Sequence, residues 1–196
     1  MTVTITHVYD NYDGAENVVR ELEGSGFTSD QISVVGRKPA DGEREEGAEG
    51  GATGAALGGV AGAGAGLLAS VGLIAIPGIG PLVAAGVLAT TVAGAATGAV
   101  AGGLLGALVD YGTSKEKAPV YAESIRRGGT LVSVRAEETR ADEADSIMQR
   151  HQPIDIEERG RAYREQGWQS YDPSAPSYSE AERQKERDRY RLHPLN

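Results

Sequence analysis

Apolar and polar positions alternate through Val3, Thr4, Ile5, Thr6 and His7 to Val8 and Tyr9, the two-residue period of a half-buried strand. The period then changes. Ala15, Val18, Val19 and Leu22 fall at helical spacing, Asp13 with Glu16 three residues on resembles a capping box, and Gly24 and Gly26 stop the helix. Ile32, Val34 and Val35 mark a second strand. Beyond Asp110 the pattern resumes with Pro119 in a first helical turn, then Tyr121, Ala122 and Ile125, closed by Arg126, Arg127, Gly128 and Gly129. Leu131, Val132 and Val134 predict a third strand. Thr139 with Asp142 predicts a capped helix carrying Ala141, Ala144, Ile147 and Met148, and residues 154–156 predict a short fourth strand. Two strand–helix–strand units of similar length therefore recur, over 3–35 and 131–156. That duplication predicts an α+β fold, a ferredoxin-like split β-α-β sandwich with two helices on one face of a four-stranded antiparallel sheet. The domain is discontinuous, over 1–36 and 111–159.

Between the halves, after an acidic linker at 37–49, residues 50–109 contain no charged side chain; 17 of these 60 residues are Gly and 17 are Ala. Gly50, Gly54, Gly58, Gly62 and Gly66 recur every four residues, as do Gly94, Gly98, Gly102 and Gly106, with Gly86 eight before Gly94. Four-residue spacing lines one stripe of a helix and lets two backbones approach closely, the packing mode of membrane helices. Pro77, Gly78, Gly80 and Pro81 break the run. The expectation is a long Gly/Ala-rich α-helical hairpin over 50–110, with helices at 51–76 and 82–109 facing each other through their glycines. Such helices would be about 39 and 42 Å long, enough for a hydrocarbon core of about 30 Å. The leading expectation is thus a transmembrane hairpin packed against lipid, with the α+β domain on the cytoplasmic side of the inner membrane. A soluble, cytoplasmic hairpin bundled in a homo-oligomer has the same composition and is the alternative. The Gly62 and Gly64 pair fails as a dinucleotide fingerprint, because Leu67 occupies the sixth position and no strand leads into it.

Composition narrows the chemistry. The chain of 196 residues has no Cys, which excludes disulfides and thiolate chemistry. The N-terminal residues lack the basic start of a secretory signal. Net charge is −9, so nucleic acid is not the expected partner. His7, His151 and His193 are isolated from one another, and no catalytic motif or cofactor motif appears. The expectation is no enzyme, no cofactor and no metal, although Glu137, Glu138, Asp142, Glu143 and Asp145 form an acidic cluster that a divalent cation could join. Arg126 and Arg127 read as compensation of a helix C-terminus or as a contact for anionic headgroups.

Val8, Tyr9, Asp10, Ala15, Glu16, Val18, Val19, Leu22, Gly26, Phe27 and 32–35 resemble the opening of the bacterial general stress protein family of the heat-induced YflT type. Residues 77–81 onward, 126–135 and 141–144 continue the resemblance over about 1–160. It implies a bacterial stress protein with a small α+β domain, and it supplies no catalytic residue. A ligand-sensing role follows only by analogy of fold. The tail, 160–196, reads as mostly disordered, with a marginal charged helix to Arg191 that Ser179 and Glu182 would cap; docking of Trp168 and Tyr171 on the domain or at a lipid interface is the sharper alternative.

Overall fold

The alternating segment at the N-terminus forms strand β1 (Thr2–Tyr9), and the helical segment after it forms α1 (Tyr12–Gly24). The computed structural model describes residues 1–37, 72–76, 80–88, 103–176 and 178–192. α1 is capped by Asn11, whose side chain accepts from the Gly14 N–H at 2.7 Å, so the cap lies two residues before Asp13. β2 (Ile32–Gly36) follows, then β3 (Gly72–Ile76), β4 (Gly80–Ala85), α2 (Gly103–Asp110), α3 (Ala118–Arg126), β5 (Thr130–Glu137), α4 (Ala141–Arg150), α5 (Ile156–Glu165) and α6 (Glu180–Leu192).

The strands make one five-stranded sheet in the order β1-β5-β2-β4-β3, with every pairing antiparallel. β5 lies between β1 and β2, paired Thr2 to Glu137 through Tyr9 to Thr130 on one side and Ile32 to Val134 on the other. β1 and β2 therefore run parallel to each other, joined by α1 over a strand inserted between them. The α+β class and an antiparallel sheet hold. The predicted fourth strand does not form. The Ile154 N–H reaches the Val8 carbonyl at 2.7 Å, the position of a strand beside β1, but Asp155 then accepts from the N–H groups of Glu157 and Glu158 at 2.9 and 3.0 Å. A good N-cap at Asp155 diverts the chain into α5, and Ile156 enters the core as its first residue.

The predicted helices at 51–76 and 82–109 are corrected over 72–76 and 82–85, while residues 103–109 are helical as expected, in α2. Residues 72–76 and 80–85 are strands paired antiparallel with each other, Gly72 to Ala84 through Ile76 to Gly80. Val34, Val35 and Gly36 of β2 pair with Ala85, Ala84 and Val83. The physical reason is that the second edge of β2 carries backbone groups that need partners, while short apolar runs rich in Ile, Leu and Val suit a strand as well as a helix. Among the described residues no helix is long and apolar enough to cross a membrane. This overturns the transmembrane hairpin, and the expected inner-membrane placement loses its structural support. Helix α2, at 8 residues, spans only about 12 Å.

Side chains alternate across the sheet, as the strand period requires. Val132, Val134 and Ala136 of β5 join Tyr12, Val18, Val19 and Leu22 of α1 and Ala144, Ile147 and Met148 of α4 in one core. Leu131 joins the opposite core, with Leu104 and Leu108 of α2, Tyr121 and Ile125 of α3, and Tyr163 of α5. That second core also takes Ala84 and Leu88 from the insertion, and Tyr171 and Tyr190 from beyond residue 160. The expected disordered tail is thus two helices, α5 and α6, with Tyr171 docked as in the sharper reading.

Candidate functional site: an arginine–carboxylate network beneath the C-terminal helix

The most concentrated chemistry lies where α3 ends. Pro119 starts α3 in its first turn, and Glu123, Arg126 and the following Arg127 come round to one side. The Glu123 carboxylate has no solvent exposure and accepts from Arg126 Nε and Nη2 at 2.9 and 2.8 Å and from Arg127 Nε at 2.7 Å. Gly128, at φ +108°, turns the backbone and lets the aliphatic stem of Arg183 lie against it.

α5 supplies the second wall. Gly160 allows it to sit against Val120 of α3, and Arg159 and Tyr163, one turn apart, point into the same space. Arg159 donates from Nη2 to Asp10 at 3.0 Å, and its guanidinium lies 3.6 Å from the centre of the Tyr190 ring. Arg127 lies 4.0 Å over the Tyr163 ring, and the Tyr163 and Ser124 hydroxyls are 3.3 Å apart. Tyr163 stands edge-on to Trp168 with centroids 5.9 Å apart.

α6 closes the site with Arg183, Glu186 and Tyr190, which fall at i, i+3 and i+7 and are its buried side chains within the described residues. Arg127 donates from Nη1 to Glu186 at 2.7 Å and to the Gln166 side-chain oxygen at 3.0 Å; Gln166 in turn donates to the Tyr190 hydroxyl at 3.1 Å. The segment before α6 is fixed too. Arg126 donates to the Pro176 carbonyl at 3.2 Å and lies 4.9 Å from the centre of the Tyr178 ring.

Burial opposes charge on Arg127, but its bonds to Glu123 and Glu186 outweigh that, and its pKa is raised. Arg159 is raised for the same balance, against burial, by Tyr163 and Asp10. Burial pushes the Tyr163 hydroxyl up, and that of Tyr171 up to about 12. Arg127 and Arg159 therefore stay charged, and Tyr163 and Tyr171 neutral, near neutral pH. Within it lies a cavity of about 10 Å³, bordered by Asp10, Ser124, Arg127, Arg159, Tyr163 and Glu186. Arg159, which lines this cavity, is 6% exposed, and its Nε has no hydrogen-bond partner. What the arrangement offers chemically is a set of buried, paired charges between aromatic rings.

The other residues singled out in the sequence go elsewhere. Gly50, Gly54, Gly58, Gly62, Gly66, Gly94, Gly98 and Gly102, with Pro77 and Gly78 of the turn, lie outside the described residues. Gly86 follows β4 at φ +82°, not inside a long helix, and a Cβ there would drive into the Ile32 carbonyl. Its close backbone approach is to β2. Gly106 is in α2, and a Cβ there would meet nothing within 4 Å. Gly80 and Pro81 begin β4, opposite Ile76 and Ala75. His7 Nε2 is 2.7 Å from Asp145, and His151 Nε2 is 2.6 Å from Glu21, so both join helices to the sheet layer or to each other. His193 lies outside the described residues. Glu143 of the acidic cluster is paired with Arg140 at 2.8 Å, and no group among the described residues has the makings of a metal site.

Sequence reasoning singled out Arg126 and Arg127 as a helix end and missed Arg159, Tyr163, Glu186 and Tyr190. The one-turn spacing of Arg159 and Tyr163, and the single face shared by Arg183, Glu186 and Tyr190, were the available signals. Compared with protein-family models, curated proteins and solved structures, the chain finds no match.

Proposed function

We propose that this chain is a bacterial, non-enzymatic interaction protein of the general-stress type that works by self-association through its Gly/Ala-rich insertion. On this reading its core is a ferredoxin-like split β-α-β unit, with the insertion added as an extension of the sheet. The observation that carries the proposal is the place of β3. It ends the sheet, with β4 as its one strand neighbour among the described residues, and its sequence of Gly, Leu, Ile, Ala and Ile has neither the charge nor the proline that guards an edge. Such an edge suits antiparallel pairing with the same strand of a second copy, an isologous contact that closes a dimer. The split β-α-β reading draws support from β1 and β2 flanking β5, and the stress reading draws on the resemblance in the sequence.

The test is the oligomeric state of the full chain by size exclusion with light scattering, beside Ile74→Lys, which places a guarding charge on the edge strand. The wild type should be a dimer or larger and the variant a monomer with an unchanged far-ultraviolet circular dichroism spectrum. A wild type that is monomeric at every concentration would sink the proposal.

A further inference from the structure

Arg127 and Arg159, with Arg187 of α6, border one small cavity, and of the two buried arginines Arg127 and Arg159 the Glu186 carboxylate serves only the first. Glu186 takes Arg127 Nη1 at 2.7 Å, and its other oxygen is 3.6 Å from Arg189 Nη1. Arg159 Nε is left without a partner although Arg159 is more than nine-tenths buried. An unpartnered buried donor is costly, more so on a charged group, and each such group in a native fold calls for an explanation. The acids that neutralise the two arginines, Asp10 and Glu123, bind through other nitrogens, Arg159 Nη2 and Arg127 Nε. Arg159 therefore keeps a donor, Nε, that Asp10 does not use.

We propose that Arg127 and Arg159 form a receptor for a free phosphate-class oxyanion, inorganic phosphate or a small monoester, with α6 as its lid and Glu186 as its intramolecular competitor. A tetrahedral oxyanion has enough oxygens to bond Arg127 and Arg159 together, which the carboxylate of Glu186 does not achieve. The cavity of about 10 Å³ has room for about one water while the lid is shut, so the oxyanion enters only as Glu186 leaves. The inward face of α6 carries the charged Arg183 and Glu186 beside Tyr190, the one residue it gives to the core, and a helix of 13 residues is marginal by itself in water. The inference stands apart from self-association, since none of these residues belongs to β3 or β4.

The experiment uses the full chain and inorganic phosphate, read by calorimetry and by the fluorescence of Trp168, which is the sole tryptophan and meets Tyr163 of this site edge-on. Chloride at matched ionic strength is the control. Glu186→Gln removes the competitor's charge and should bind phosphate about tenfold more tightly than the wild type, as expected when a ligand no longer displaces a bound ion. In the Glu186→Gln background, Arg159→Lys keeps the charge but loses the planar fork, and the tightening should be lost. If that double variant does not fold, limited trypsin digestion of Glu186→Gln alone decides the matter: phosphate should speed cleavage within α6 and chloride should not. The proposal is overturned if Glu186→Gln shows no phosphate response, or if chloride reproduces it.

Discussion

Glu123 illustrates how a single side chain decides the charge balance of its surroundings. It is fully buried, and an isolated carboxylate there would be untenable. Two arginines that follow it at i+3 and i+4 bond to it at 2.7–2.9 Å, and Arg127 carries the balance on to Glu186 and the aromatic ring of Tyr163. Removing the acid leaves buried Arg127 with only Glu186 and Gln166, and Arg126 with only the Pro176 carbonyl and the Tyr178 ring. Glu123→Ala should therefore destabilise the chain by about 3–5 kcal/mol, as for a broken buried ion pair. Denaturant unfolding is the measurement. A loss under about 1 kcal/mol, the range of an exposed pair, would show that the network is solvated. Gly86 decides its surroundings differently, through a positive φ and a backbone approach to Ile32 that a Cβ would block.

At the scale of elements, α4 is fastened to α1 and β1 by a few polar ties over a shared apolar core. Glu21 of α1 accepts from Arg150 and lies 2.6 Å from His151 Nε2, while Asp145 of α4 meets His7 of β1. The Arg150 bond and then that of His151 hold the Glu21 carboxyl below the ordinary carboxylate range. A carboxylate with a lowered folded-state pKa adds stability above its unfolded value, about 4.3, and that stability disappears as pH falls through the folded value. Acidification below about pH 4 should thus loosen α4 from α1, seen as faster amide exchange in α4. Glu21→Gln should flatten this acid dependence while leaving the neutral-pH fold intact. The same acid slope in both proteins would assign the effect to other carboxylates.

At the scale of the molecule, the insertion is structural and not a detachable appendage. Its strands extend the sheet from β2, and Leu88, Leu104 and Leu108 fill the core that also holds Leu131, Ile125 and Tyr163. Each such leucine contributes about 2–5 kcal/mol, against a total stability of about 5–15 kcal/mol for a domain. Replacement of residues 50–109 by a short linker should therefore abolish cooperative thermal unfolding. A variant that melts cooperatively at the parental temperature would restore the picture of two separable parts. The C-terminal region enters the same core through Tyr171 and Tyr190, so both segments outside the predicted α+β domain complete it.

The sequence by itself determined the elements whose instructions are local. β1, β2, β5, α1, α3 and α4 each carry a period and a breaker within a few residues of where they begin or end, as with Gly24, Pro119 and Gly128. The tertiary structure decided what depended on a distant partner. Residues 72–76 and 80–85 became strands because β2 offered an open edge, and nothing within a Gly/Ala/Leu/Ile run chooses strand over helix. Residues 154–156 lost their strand to the cap at Asp155, and α6 gained order because Arg127, Arg159 and Gln166, remote in sequence, waited for Glu186 and Tyr190. Backbone pairing and ion pairing are satisfied by whichever group arrives in space, so their outcome is written in the fold and not in the order of residues.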